Sequence, residues 1–268
     1  MKSRKSIFTM FVFYYEVMFV TIFVITVVVC SYMLRTMENG IHEVYNSTIT
    51  QIGQYVDESL ERYQKKTMEV AVQPEINSMA LHMGILDDSQ RQSMIKIQQY
   101  LNNIIVNGNA IEQIYVYFSN EDFVLSDQGY IETVHFYNVY QKKMFSSQDE
   151  WEKFLMESRL SQICQRGGRL IFTTSVPLNS SNKRNAVVCM TVDPESIMHR
   201  FSYHTDKYQN ITIIADDEGN TITNYQLSQE MIEYILANRD KSVYKIGKDD
   251  ALVSSVDSFV DGWKYISV

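Results

Sequence analysis

Asp216, Asp217 and Glu218 stand side by side before Gly219, the one run of three acidic residues in the chain. Carboxylate oxygens suit hard cations such as calcium or magnesium. The same run also reads as a solvated hairpin turn, which fits the strand-like segments on either side of it better. The five histidines are His42, His82, His135, His199 and His204. His199 and His204 are five positions apart, which on a helix sets them on different faces. They are expected as surface or partly buried side chains. No HExxH, CxxC, P-loop or GxSxG is present. Without a metal set, a phosphate cradle or a nucleophile beside a base, the expected chemistry is binding: no catalysis, no cofactor and no metal. Of the three cysteines, Cys164 and Cys189 are able to pair if they meet an oxidising compartment. Nothing in their spacing demands it, and two unpaired, partly buried thiols are expected.

The elements that must position any binding chemistry begin with an apolar run from Ile7 to Met33. About 20 apolar helical residues cross a bilayer's hydrocarbon core, so this run has length to spare. Lys2, Arg4 and Lys5 precede it and only Arg35 closely follows. Basic flanks stay cytoplasmic, which predicts an inside N-terminus and an extracellular domain after residue 35. A cleaved signal peptide would have a shorter apolar region ending in small residues, whereas this run leaves through Cys30, Ser31, Tyr32, Met33 and Leu34. An uncleaved anchor is expected. Glu16 interrupts the run and has two readings: a position near the cytoplasmic end of the span, or a contact with another helix.

Residues 1–35 carry four bases and one acid, leaving 20 bases against 31 acids in the remainder. That balance argues against nucleic-acid binding by this segment and against adhesion to anionic lipid. With 18 Tyr and 13 Phe, the remainder is no disordered stalk.

Hydrophobic spacing organises that remainder. Ile41, Tyr45, Thr48, Ile52, Val56, Leu60, Tyr63, Thr67 and Val70 mark one helix stripe running on from the span. It can pack on its own domain or on the same helix of a second copy; Pro74 ends or kinks it. A second helix is predicted over Asp88–Val106, capped by Asp87, Asp88 or Ser89. Strands are predicted at 111–118, 123–126, 170–176 and 186–192, with a helix at 149–160 carrying Trp151. Residues 130–146 read as irregular or helical, and Asp193, Pro194 and Glu195 open a helix. From 210 the order repeats: strand, turn, strand, a helix at 228–238, then strands near 242–246, 251–255 and 263–268. The fold class is α+β, with two unequal lobes behind one long helix.

The segments that identify the pattern are the span running into a long helix, IYVYFSNEDFVLSDQG as a first hairpin, the Trp151 helix after a Tyr-rich stretch, AVVCMTVDPESIM, ITIIADDEGNTITN and SFVDGWKYISV. In that order they resemble the bacterial double Cache (dCache) extracellular sensor domain over about residues 7–268. Among dCache proteins the chain is most similar to the extracellular part of membrane-bound AraC-type transcriptional regulators of Gram-positive bacteria, with sensor histidine kinases close behind.

The resemblance implies two PAS-like (Cache) lobes with antiparallel sheets and a role in signal transduction. The implied segments are a cytoplasmic tail at 1–6, a span at 7–33, a signalling and dimerisation helix at 34–72, a membrane-distal lobe at 73–205 and a membrane-proximal lobe at 206–268. The family's second span and output domain are missing from this chain, and the Tyr/Arg/Trp/Asp pattern of amino-acid-binding dCache domains has no clear match. A small extracellular ligand is the implied partner, and the stripe on the long helix adds a homodimer as an expectation; the alternative reading is a membrane-tethered interaction domain that binds a partner protein or wall polymer and no small molecule. The distal lobe is the implied ligand lobe. There Tyr115 and Tyr117 share one face of the first strand, and an aromatic body with a polar tip suits a ligand wall. Trp151, Phe172 and Thr174 are expected to complete that wall, with Ser126 offering a hydroxyl; the alternative is that all six are ordinary core residues.

Overall fold

The computed structural model describes residues 3–81, 87–108, 110–157, 160–178, 185–198, 211–216, 220–223, 228–237, 243–246, 249–252, 254–260 and 262–267. His82, His199, His204, Asp217, Glu218 and Gly219 lie outside the described residues. Packing divides the chain into two units, Met1–Thr48 and Ile49–Val268, while one helix, α1 (Ser3–Ala71), belongs to both.

The first unit is helical, and every side chain described in it, Phe8 onward, is exposed. α1 is the one helix among the described residues long and apolar enough to cross a bilayer. Three of its hydroxyls are tied to its own backbone: those of Thr21, Thr26 and Thr36 donate to the carbonyls of Val17, Ile22 and Tyr32 at 2.7–2.9 Å. A surface apolar all round, with hydroxyls satisfied internally, is what a hydrocarbon environment selects.

The second unit contains the rest of α1, whose inner face is Ile49, Ile52, Val56, Leu60, Thr67 and Val70, all buried. Steps of three and four put those residues on one side of the helix. This corrects the dimer expectation for this stretch: Ile52 and Val56 are consumed by their own domain and present nothing to a second copy. After α1 come α2 (Pro74–Leu81) and α3 (Asp88–Asn107). Pro74 both stops α1 and starts α2, since the first helical position needs no N–H. Asp87 caps α3, accepting from the Gln90 N–H at 2.7 Å while its own N–H donates to Gln90 Oε1 at 2.8 Å.

A six-stranded antiparallel sheet follows, ordered β3-β2-β1-β6-β5-β4. Its strands are β1 (Ile111–Phe118), β2 (Phe123–Ser126), β3 (Gly129–Glu132), β4 (Ser161–Arg166), β5 (Arg169–Val176) and β6 (Ala186–Val192). The two edge strands, β3 and β4, went unread in the sequence because they are only partly buried and carry few apolar residues, so their apolar alternation is weak. Gly167 and Gly168, both at positive φ (58° and 72°), make the two-residue turn from β4 to β5. Between β3 and β4 lie α4 (Thr133–Phe136), one π-helical turn (Tyr137–Gln141) and α5 (Gln148–Glu157).

Past α6 (Pro194–Met198) come β7 (Thr212–Ala215), β8 (Thr221–Thr223), α7 (Gln229–Ala237), β9 (Val243–Ile246), β10 (Asp249–Leu252), β11 (Ser254–Asp257) and β12 (Lys264–Ser267). β9 and β10 pair with each other, and the remaining strands form a four-stranded sheet ordered β11-β12-β7-β8. The expected α+β class, a long apolar helix followed by antiparallel sheets, is the observed one.

The main core joins the inner face of α1, α2 and α3 to one face of the six-stranded sheet, to Ile214, Ile222 and Tyr265 of the four-stranded sheet, and to Trp263 just before β12. A separate aromatic core covers the opposite face of the six-stranded sheet. α1 approaches the four-stranded sheet closely. A side-chain carbon on Gly53 would stand 2.9 Å from the Tyr265 ring and from Val256. One turn further on, Asp57 accepts hydrogen bonds from the hydroxyls of Tyr265 and Ser258 and from the Phe259 N–H.

Candidate functional site

Strand alternation decides what each residue of the six-stranded sheet faces. On β1, Ile114, Val116 and Phe118 point into the main core, and Tyr115 and Tyr117 point into the aromatic core. The antiparallel register then carries the second face across the sheet. Tyr115 stands opposite Ser126 on one side and Cys189 on the other, with Thr173 next beyond Cys189. Tyr117 is followed in the same way by Val187 and Ser175, and Gln113 by Thr191 and Ile171.

Above this face sits Trp151, fully buried on α5. Its indole N–H donates to the Tyr115 hydroxyl at 3.1 Å. The Tyr117 and Phe136 rings lie 5.6 and 5.8 Å from it, centroid to centroid. The π-helical turn is pinned at both ends: Tyr137 donates its hydroxyl to the Phe145 carbonyl at 3.1 Å, and Gln141 Nε2 donates to Gln113 Oε1 at 3.0 Å. Arg166 lies over the Phe145 ring at 4.7 Å and donates to Glu150 at 2.8 Å. The Ser146 backbone N–H, with Arg166 adding to it, holds the Glu150 carboxyl below its ordinary range.

Four of the six expected site residues, Tyr115, Tyr117, Ser126 and Trp151, share this face. Phe172 and Thr174 do not. They lie on the opposite face, where Phe172 packs against Tyr63 of α1 at 5.6 Å and the Thr174 hydroxyl meets that of Thr67 at 2.8 Å. The physical reason is the period of two: a shift of one residue changes the face. Thr173 and Ser175, not their neighbours, lie with Tyr115 and Tyr117.

The face is electrically neutral. Burial lifts the Tyr115 phenol well above its ordinary value and pushes the Cys189 thiol up to about 12. Burial also raises Tyr117, helped by the carboxylates of Glu152 and Asp122. Cys164 and Cys189 are not joined, because β5 lies between their strands. No group of three or more His, Cys, Asp or Glu side chains placed to hold a metal occurs among the described residues.

The face opens at one end into a cleft of about 410 Å³, whose wall includes Gln113, Tyr140, Lys143, Met144, Arg169 and Thr191. Arg169 at its rim is engaged by Glu112 and, at 4.0 Å, by Asp193. The Thr191 hydroxyl is buried and has no hydrogen-bond partner among the described residues; the same holds for Thr173 and Ser175. These hydroxyls were missed at the level of sequence. Their signal was the polar triplet Thr173, Thr174 and Ser175 inside an otherwise apolar strand, and Thr191 breaking the run of β6.

No known family model matches this sequence, and no curated protein is similar to it. Solved structures of similar fold include sensory and ligand-binding domains. A domain of a sensory box/GGDEF family protein from Vibrio parahaemolyticus superposes with a TM-score of 0.56 at 8% identity, over 86% of this chain and 96% of that one. The ligand-binding domain of the Pseudomonas fluorescens chemoreceptor CtaA, in complex with L-serine, gives 0.54 at 8% identity over 86% and 96%. The sensory domain of the Campylobacter jejuni chemoreceptor Tlp3, with isoleucine bound, gives 0.52 at 11% identity over 86% and 93%. At these identities the likeness is one of fold.

Proposed function

We propose that this chain is the extracellular ligand-sensing region of a membrane-bound bacterial signal-transduction protein. The observation that carries this reading is the cleft ending at a buried, unpartnered Thr191 hydroxyl, at the edge of an aromatic-covered sheet face. Concave sites with a few convergent polar groups are where small ligands bind, and the fold is one otherwise found in sensory domains. The site binds its ligand without transforming it. Residues 7–33 span the membrane with 1–6 cytoplasmic and residues after about 35 extracellular. The stretch 34–72 is the signalling helix, 73–205 the membrane-distal lobe and 206–268 the membrane-proximal lobe. The output is an AraC-type transcriptional regulator, and two copies pair through the part of the long helix before Ile49, where Ile41 and Val44 are exposed.

A chimera tests the sensory reading. The chain is joined through residue 268 to a second span and the cytoplasmic kinase-control domain of a chemoreceptor. An externally added compound is expected to change the output, and to raise the melting temperature of the purified chain by mass action. A folded, surface-exposed chimera silent to every compound that binds the chain would overturn it. The DNA after codon 268 decides the output: a helix-turn-helix region supports the AraC assignment, and a kinase domain replaces it.

A further inference from the structure

The Thr191, Thr173 and Ser175 hydroxyls are each buried and lack a hydrogen-bond partner among the described residues. A buried hydroxyl without a partner is destabilising, because it has given up water and gained nothing in return. Three on one sheet face is a large sacrifice unless something meets them. They are not scattered. Register sets them on consecutive rows: Thr191 beside Gln113, Thr173 two residues from Tyr115 across Cys189, and Ser175 two residues from Tyr117 across Val187. Successive rows lie about 6.6 Å apart along a strand. The hydroxyls therefore form a track that starts in the wall of the cleft and runs beneath Trp151.

Resting on the sensory reading above, we infer that this site takes an uncharged ligand bearing several hydroxyl groups, of the monosaccharide or polyol class, held by Thr191, Thr173 and Ser175. Each serine or threonine hydroxyl both donates and accepts, as a ligand hydroxyl does, so the pairing works in either sense. Tyr117 and Trp151, with rings 5.6 Å apart, offer aromatic faces to the apolar side of such a ring. The track itself supplies no counter-charge. Its other members are Gln113, Ile171, Cys189 and Val187, and an ammonium or carboxylate buried among them would be unpaired, at a prohibitive cost. Of the ionic groups at the rim, Arg169 is already engaged by Glu112 and Asp193, while Lys143 and Asp127 line the outer cleft and are not members of the track. Reaching Thr173 and Ser175 requires the α5 cover to lift from Tyr115, which gives the ligand a differential affinity for two conformations.

The full chain, purified in detergent micelles, is melted with xylose, glucose, glycerol and myo-inositol, and separately with α-amino acids and dicarboxylates. A neutral compound is expected to raise the melting temperature. Thr191→Val and Thr173→Val are each expected to weaken it by about tenfold or more, without lowering the variant's own melting temperature, because removing an unpartnered hydroxyl is neutral or stabilising. Three results overturn the inference. Stabilisation by charged compounds alone removes the ligand class and leaves the sensory reading standing. Equal binding of a neutral compound by wild type and both variants shows that ordered water, not ligand, meets these hydroxyls. No shift from any neutral compound removes the inference outright, whereas the sensory reading fails only with a silent chimera.

Discussion

At the scale of single residues, the aromatic core around Trp151 is held by shape and, at the indole itself, by its hydrogen bond to Tyr115. Tyr115→Phe keeps the ring and strips the acceptor from a buried indole N–H. The expected cost is about 1–3 kcal/mol, read as a lower urea midpoint with unchanged slope; an unchanged midpoint would show that the Trp151–Tyr115 bond contributes nothing net. Cys189 makes a prediction in pH. Its folded pKa, about 12, lies above the ordinary thiol value of 9.0. A group whose pKa is raised on folding stabilises fully below its unfolded pKa and loses that contribution as pH rises toward the folded value. Stability should therefore be level in this respect below about pH 9 and fall between 9 and 12, with Tyr115 adding to the fall above 10. Cys189→Ala should flatten the first part of that fall, and an unaltered profile would place its origin elsewhere.

At the scale of elements, α1 is the member most tightly fitted to its neighbours after Ile49. Gly53→Ala gains about 1 kcal/mol of helix propensity, yet its new carbon would lie 2.9 Å from the Tyr265 ring and Val256. Overpacking of this kind costs about 1–3 kcal/mol. A lowered melting temperature is expected, and a raised one would mean that Tyr265 gives way freely. Asp57→Ala leaves the hydroxyls of Tyr265 and Ser258 without their shared acceptor, loosening β12 from α1. Hydrogen exchange of the β12 amides should speed up while β1 and β6 keep their protection.

At the scale of the whole chain, the proposed orientation rests on the basic cluster before the apolar run. A reporter active only outside the cell, fused after residue 268, should be active, and a cytoplasmic reporter at the same point should be silent; the reverse pattern would invert the topology. The long helix divides its labour along its length. Ile52→Asp and Val56→Asp put charges into a core where both residues are buried, so they should unfold the domain. Charges at Ile41 and Val44, both exposed, should leave folding intact and abolish disulfide crosslinking of the membrane-bound pair. Undiminished crosslinking in that variant would remove the helix from the dimer interface.

Composition and periodicity alone were enough for the long apolar helix, the α3 boundaries and its cap region, the central strands and the α+β class. Each is a local property: apolar length for the start of α1, a period of three to four for the rest of α1 and for α3, β-branched and aromatic runs for β1, β5 and β6. Edge strands β3 and β4 escaped, being too exposed and too poor in apolar residues to alternate clearly. Tyr115, Tyr117, Ser126 and Trp151 were legible as one group because two share a strand face and the others follow it in sequence. Phe172 and Thr174 were placed with them although they face the other way, because the choice between Thr173 and Thr174 depends on the register of β5 against β6, which no local pattern contains. The same long-range register alone brings the hydroxyls of Thr191, Thr173 and Ser175 into one track. Likewise, the stripe on α1 was equally suited to a second copy or to its own domain until the sheets closed over Ile52 and Val56.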